Sequence, residues 1–272
     1  MELILKRLVG SCRRKATPNF SGLGLARFIC RFIEVIKMKF AVLSDRGLVR
    51  SKNEDNFLAD EIRGLFMVCD GMGGHKSGEI ASSMAVECIS KFLPSANGEI
   101  NLHKLNEAVC EANKKIFDNS MKNLEFHGMG TTVTAAVIKG YDLFISHVGD
   151  SGLFIISGER IKKVTNDHTL AEQMVRDSIL SPHDIENSPY NHVLTRALGV
   201  EEQVKVDNYE EHLDEGDMIL LCSDGLTDLL SQQDILDLVK KETSLQKVVQ
   251  SLVFLALERG GSDNITVILV SI

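Results

Sequence analysis

Three apolar stretches in this chain each run straight into an acidic residue. Leu65-Phe66-Met67-Val68-Cys69 leads into Asp70-Gly71, Leu143-Phe144-Ile145-Ser146-His147-Val148 into Gly149-Asp150, and Met218-Ile219-Leu220-Leu221-Cys222 into Ser223-Asp224-Gly225. Apolar runs of this length bounded by Gly and Asp read as buried strands. The chain must therefore build a sheet core that delivers carboxylates to its strand exits. Further strands are predicted over residues 40–43, 132–138, 153–156 and 265–270. In the last of these Ile265, Val267 and Leu269 alternate with Thr266, Ile268 and Val270, so both faces are expected to be buried.

Helical periodicity falls between these strands, over residues 79–93 and 102–119 and again over 231–240 and 244–258. Apolar residues such as Leu105, Val109, Ala112 and Ile116 recur there three or four apart. Helices in consecutive pairs do not fit the regular alternation of a doubly wound sheet. They fit a strand-rich core covered outside by helical layers, an α+β arrangement. Gly140 and Gly158 mark tight turns between adjacent strands, which favours antiparallel hairpins. Residues 166–195 interrupt the pattern with a short helix over 169–176 and then irregular chain containing Pro182 and Pro189. They read as a loop excursion over the sheet edge.

The net charge is −8, but it is unevenly spread: the first 39 residues hold nine basic and two acidic side chains. Residues 1–38 are thus a separate basic unit before a domain over 39–272. Within the unit Leu25, Phe28, Ile29, Phe32, Ile33 and Ile36 form an apolar stripe over residues 23–38, flanked by Arg27, Arg31 and Lys37. That is a basic amphipathic helix that could dock on its own domain, on a partner protein or on an anionic membrane surface. Met38, directly before the first strand, is a candidate initiator. The acidic balance of the remainder argues against broad nucleic-acid binding. No apolar run approaches the roughly 18 residues that a membrane-spanning helix requires. The six Cys form no CxxC pair, which suits a reducing, cytoplasmic setting.

Carboxylates crowded against a packed sheet repel one another and lose hydration, and a divalent cation relieves both penalties. Asp70, Asp224 and Asp263, with Glu54 and Asp55, offer hard oxygen donors of the kind Mg²⁺ and Mn²⁺ prefer, and no Cys/His cluster offers a zinc site. Any one Asp-Gly could be an ordinary turn. The segment Asp70-Gly71-Met72-Gly73-Gly74-His75 is less ordinary, because it places a carboxylate, three glycines and an imidazole within six residues. It is not a P-loop, since the GxxxxGK[ST] spacing is missing.

Seven blocks in order make a resemblance plain: SDRGLVRSKNEDN (44–56), DGMGGH (70–75), GMGTT (128–132), GDS (149–151), LTRALG (194–199), SDGLTD (223–228) and GSDNIT (261–266). From residue 40 to 272 the chain resembles the metal-dependent PPM or PP2C serine/threonine phosphatases, especially the compact bacterial ones. The resemblance implies a four-layer α-β-β-α sandwich, two antiparallel sheets between helical layers. It implies hydrolysis of phosphoserine and phosphothreonine in proteins by a metal-activated water, reversing the action of a cognate Ser/Thr kinase. Asp70 would bridge two Mn²⁺ or Mg²⁺ ions, the Gly71 carbonyl would bind one of them, and Asp224 and Asp263 the other. Glu54 and Asp55 would hold metal-bound water, Arg50 the phosphoryl oxygens, and Asn264 would support the last ligand. His75 would protonate the leaving alkoxide. Asp150 and Asp228 would join Asp224 around a weaker third ion, and residues 166–195 would form the variable flap. Two departures stand out: Gly152 where the family usually has Arg, and Ser178 near a common Gly. A binding protein without catalysis and a phosphatase of small phosphate esters are the alternatives.

Overall fold

The computed structural model describes residues 38–73, 77–94, 99–185 and 188–272. Apart from Met38, the expected amphipathic helix over 23–38 lies outside them, as does His75. Two five-stranded antiparallel sheets face each other. One has the order β1 (Lys39–Asp45), β12 (Ile265–Ser271), β11 (Met218–Cys222), β8 (Gly152–Ser157) and β9 (Arg160–Lys163). The other has the order β10 (Asp207–His212), β7 (Asp142–Val148), β6 (Val133–Lys139), β3 (Leu65–Cys69) and β2 (Asn56–Asp60). A two-stranded ribbon, β4 (Gly71–Met72) with β5 (Gly130–Thr131), continues from the end of β3.

The period of two in the strands assigns their side chains to layers. In β3, Phe66 and Val68 meet Ile219, Leu221, Ile268 and Val270 between the sheets, while Leu65, Met67 and Cys69 point outward. That outer face packs against α1 (Ser77–Phe92) and α2 (Leu102–Lys122) through Ala81, Ala85, Leu105, Val109 and Ile116. On the opposite side α5 (Gln232–Lys241) and α6 (Leu245–Glu258) cover Ile265, Val267 and Leu269 of β12 with Ile235, Val249, Leu252 and Val253. Each strand of the central pair is apolar on both faces because each face has a layer to bury against, worth about 1.5–3 kcal/mol per large side chain. The expected α-β-β-α sandwich is the observed one.

Local chemistry starts and stops the helices. Asn101 caps α2 by accepting from the Lys104 amide at 3.0 Å, and Ser231 and Asp234 form a reciprocal capping box at the start of α5. Arg259, after α6, donates to both carboxylate oxygens of Asp234 at 2.8 and 2.9 Å and to the Leu229 carbonyl at 2.7 Å, tying the two helices together. Gly140 and Gly158 turn the β6–β7 and β8–β9 hairpins with φ of 59° and 58°. Among the described residues no helix is long and apolar enough to cross a membrane.

The register brings the acidic strand exits to one end, where β11 is followed by the one-turn helix α4 (Asp224–Thr227). Cys69 at the end of β3 faces Asn56 at the start of β2, and Cys222 at the end of β11 faces Gly152 and Val267. The loop 166–195 leaves from the same end. It contains α3 (Leu170–Arg176) and is closed at its base by a Thr169–Leu194 bridge, a Leu170 N–H to Val193 carbonyl bond at 2.8 Å and a Thr195 N–H to His168 carbonyl bond at 2.7 Å.

Candidate metal centre and active site

A cavity of about 610 Å³ opens at this end. Its walls include Arg50, Glu54, Asp70, Gly71, Asp150, Asp224, Asp228, Asp263 and Asn264, so nine of the eleven residues singled out from sequence converge on one space. Met72, Thr132, His192 and Leu194 line it as well. Asp55 is buried and does not line the cavity, and His75 is outside the described residues.

Asp70 is delivered by β3 and locked by its backbone. Its N–H donates to Thr132 Oγ1 at 2.9 Å, and its carbonyl accepts from Thr131 Oγ1 and the Thr132 N–H, both at 2.8 Å. The next residue, Gly71, has no room for a side chain: a Cβ would lie 2.2 Å from the Gly78 carbonyl oxygen and 2.6 Å from that of Glu54. Glycine here is a requirement of close backbone approach between β4, the start of α1 and the Glu54 loop.

The Glu54 loop is held by Asn264, and all three of the amide's hydrogen bonds serve that loop. Its Nδ2 donates to the carbonyls of Arg46 and Lys52 at 2.8 Å each, and its Oδ1 accepts from the Glu54 N–H at 2.7 Å. Across the same junction Asp55 Oδ2 accepts from Ser223 Oγ at 2.8 Å and Thr266 Oγ1 at 2.7 Å. Asp55 thus fastens the loop to both β11 and β12 from behind the cavity wall. Arg50 reaches over the rim and donates to Asp263 Oδ2 at 2.6 Å, while Asp263 Oδ1 accepts from the Asn264 N–H at 2.8 Å. Burial opposes the Arg50 charge, but the Asp263 carboxylate more than offsets it and raises the guanidinium pKa.

The electrostatics are those of an anion cluster lacking enough countercharge. Burial, then the neighbouring Asp224 carboxylate, holds Asp70 well above the usual carboxylate range. Burial and Asp224 do the same to Asp150, and they push Asp228 up to about 7. Burial raises Asp224 and carries Asp55 to about 7 against its two hydroxyl donors. One oxygen each of Asp55 and Asp224 is shut off from solvent with no hydrogen-bond partner. Buried carboxylates of this kind require a proton or a cation. The donors are all oxygen apart from one imidazole, so the residues fit a hard divalent ion.

Several contributors lie outside the set of candidate site residues. Thr132 Oγ1 lies 2.7 Å from Ser151 Oγ, and Thr134 Oγ1 donates to the Ser151 carbonyl at 2.7 Å and lies 2.9 Å from His147 Nδ1. This hydroxyl ladder runs beneath Asp70 and Asp150. His168 is fully buried; its Nδ1 accepts from the Gly149 N–H at 3.0 Å and its Nε2 is 3.2 Å from Asp207 Oδ2. It ties the base of loop 166–195 to the turn that presents Asp150. His192 Nδ1 stands 3.5 Å from Asp228 Oδ2. The alternation of Thr residues in β5 and β6 was the readable trace of the ladder; the histidines had none. At Gly152 a Cβ would lie 2.7 Å from the Phe154 ring, so Phe154 occupies the space a larger residue would need.

Comparisons with known proteins agree with this geometry. The model of the family described as protein phosphatase 2C matches residues 39–265. The chain is 35% identical over 234 residues to the serine/threonine phosphatase stp of Listeria monocytogenes, covering 84% of this chain and 93% of that one. It is 32% identical to the protein phosphatase PhpP of Streptococcus pneumoniae, covering 86% and 97%. The crystal structure of the Mycobacterium tuberculosis serine/threonine phosphatase PstP/Ppp superposes with a TM-score of 0.81 at 33% identity, over 86% of this chain and 98% of that one. The catalytic domain of PstP in complex with two manganese ions superposes at 0.78 with 32% identity, over 86% and 97%. With the sandwich, the acid-lined cavity and the ordered motifs all in agreement, the chain belongs to the protein phosphatase 2C family of metal-dependent serine/threonine phosphatases.

Proposed function

We propose that Asp70, the Gly71 carbonyl, Asp224 and Asp263 hold two Mn²⁺ or Mg²⁺ ions, with Glu54 ordering the water around them, Asp55 bracing the Glu54 loop from behind the cavity wall in place of the water-holding role expected of it, and Asp150 and Asp228 completing a weaker third site with Asp224. The observation that carries this reading is the convergence of Asp70, Asp224 and Asp263 on one cavity, where an Asp224 oxygen is buried without a partner. When bound, such ions lower the pKa of a coordinated water, orient it for in-line attack and neutralise phosphoryl charge.

The chain's own residues do the rest. Arg50, on the cavity rim, presents a planar fork that can hold two phosphoryl oxygens, and its pairing with Asp263 keeps it over the cavity before substrate arrives. Asn264 and Asp55 hold the Arg50–Glu54 loop against β11 and β12, so these groups meet the substrate already in place. His75 is assigned the proton delivered to the departing serine or threonine oxygen; replacing it should harm phosphoserine peptides more than nitrophenyl phosphate, and equal losses would remove the assignment.

The substrates on this reading are phosphorylated serine and threonine side chains of proteins, set by a cognate kinase, and the catalytic domain spans 39–272. The test is phosphate release from phosphoserine and phosphothreonine peptides and from small phosphate esters, each with Mn²⁺, Mg²⁺ or chelator, and with Asp224→Asn as control. Release that depends on the ions and on Asp224, and favours peptides, is expected. Indifference to chelator would overturn the proposal. Residues 1–37 are assigned a peripheral contact with protein or an anionic membrane surface. Equal sedimentation with anionic vesicles for the full chain and a chain beginning at Met38 would reject membrane recruitment.

A further inference from the structure

A smaller cavity of about 250 Å³ adjoins the acid cavity, with Met72 and Leu194 in the walls of both. Where the first is lined with carboxylates, the second has an apolar side made of Met72, Leu194, Ala197, Val200 and Val204. An apolar cavity of about 150 Å³ takes a benzene ring, so this one has room for a single leucine- or phenylalanine-sized side chain. Glycine at 130 lets two of these groups come together: a Cβ there would lie 3.0 Å from Val200 Cγ2 and 3.2 Å from Met72 Cε. The wall over residues 194–205 is pinned from three sides. The buried Asn113 of α2 donates to the carbonyls of Glu201 and Glu202 at 3.0 and 3.1 Å and accepts from the Gly199 N–H at 2.8 Å. Leu198 exchanges both backbone hydrogen bonds with Thr131 of β5, at 2.8 and 3.1 Å. Arg196 Nη1 donates to the Lys205 carbonyl at 3.1 Å and to Asp207 Oδ1 at 2.7 Å. The cavity is therefore shaped before any ligand arrives, which lowers the ordering cost of binding.

We propose that this cavity is a specificity subsite that takes one apolar side chain of the substrate polypeptide, within about three residues of the phosphorylated serine or threonine. The inference rests on the protein-substrate reading above and adds to it a sequence preference. The spacing follows from the shared wall. An extended chain advances about 3.3 Å per residue, so three residues span about 10 Å, enough to pass a partition one side chain thick. Met72 and Leu194 are that partition, and a peptide whose phosphoryl group enters the acid cavity lays its neighbouring residues across them. Binding energy gained away from the reacting group can then be used at the phosphorus, which a small ester lacking flanking residues cannot supply.

The test uses the full chain with Mn²⁺ and a set of phosphothreonine peptides in which each of the three positions on either side of the phosphorylated residue carries Leu or Ala in turn. Wild type should prefer Leu over Ala at one of these positions by about tenfold in kcat/KM, the scale that a missing methylene sets in an apolar pocket. Val200→Asp places a charge in the wall and Val200→Phe fills the space; because Val200 is 47% exposed, both replacements spare the core. Each should bring the Leu/Ala ratio to within about twofold of unity, chiefly through KM. Nitrophenyl phosphate, too short to reach the cavity, normalises each variant for changes at the metal centre. In methyl-resolved NMR, a non-hydrolysable phosphonate peptide carrying the preferred Leu should shift Val200 and Val204, and its Ala counterpart should not. A wild-type ratio below about twofold at every position, a preference that survives in both Val200 variants, or equal methyl shifts with the two phosphonates would each overturn the inference. So would a sedimentation coefficient that rises with concentration in wild type and not in Val200→Asp, which would give the cavity to a second copy of the chain. Phosphate release from nitrophenyl phosphate with none from any peptide would instead refute the protein-substrate reading, and the subsite with it.

Discussion

Asn264 offers a test of how the cavity is assembled, because one small side chain carries three bonds to a loop that holds two functional groups. In Asn264→Ala the carbonyls of Arg46 and Lys52 and the amide of Glu54 lose their partner together. At about 1 kcal/mol for each hydrogen bond, the expected destabilisation is about 3 kcal/mol. For a domain of this size that lowers Tm by roughly 6–12 °C. The effect on catalysis should be larger than the fold's loss suggests, because Arg50 lies between the two tethered carbonyls and Glu54 carries the tethered amide. A displacement of about 1 Å there can cost on the order of 100-fold in rate. Asn264→Asp separates the contributions: it keeps an acceptor for the Glu54 amide and replaces the donor nitrogen with an oxygen that faces both the Arg46 and the Lys52 carbonyls. Thermal unfolding monitored by near-ultraviolet dichroism, and kcat/KM on a phosphothreonine peptide at 25 °C where both variants are folded, provide the measurements. A Tm within about 2 °C of wild type and an unchanged kcat/KM in Asn264→Ala would show that the loop is held by other contacts, and the reasoning would fail.

Asp70→Asn should abolish ion-dependent phosphate release and yet raise the Tm of the chelator-treated protein, because it removes one of the buried charges that repel Asp224; a lower Tm in chelator would contradict the electrostatic account. Gly71→Ala should lose most activity and stability, since its Cβ meets a carbonyl oxygen at 2.2 Å, and a folded, active variant would show that the β4–α1 approach is slack. Burial holds His168 down at about 4, against about 6.5 in the unfolded chain. Between those values the unfolded state binds the extra proton, so the stability His168 contributes is full above about pH 6.5 and is lost as the pH falls toward 4. The stability difference between wild type and His168→Gln should therefore shrink on acidification by up to about 1.4 kcal/mol per pH unit, as read from urea unfolding at pH 7.0 and 5.0; a constant difference would mean that His168 does not titrate in this range. Ser178, in the left-handed region at φ 59°, should tolerate Gly, while Ser178→Val should lose about 1–2 kcal/mol in the same assay.

Much of the fold was legible because both faces of its central strands are apolar with a period of two. Leu65-Phe66-Met67-Val68-Cys69 and Ile265 to Val270 announce burial on either side, and the outcome is a sandwich with helices outside. The polar edge strand Asp207–His212 was not legible: Asp-Asn-Tyr-Glu-Glu-His carries no apolar run, and it is a strand because β7 offers it a free edge. The cavity acids were legible as strand-end carboxylates and by resemblance. Asp55 was placed with them, but its position is set by hydroxyls from Ser223 and Thr266, more than 160 residues distant, and such a pairing leaves no local pattern. His168 and His192 escaped for the same reason, since a single imidazole acquires meaning only from what tertiary structure sets beside it.

Asp70 issues from one sheet, whereas Asp224 and Asp263 issue from the other. An ion gripped by all three would be a rivet through the sandwich, and its fit would depend on how the two sheets slide over Phe66, Ile219 and Ile268. Mutations deep in that seam, far from any phosphate, would then retune catalysis by changing the spacing of the acids, and metal loading would stiffen the seam in return.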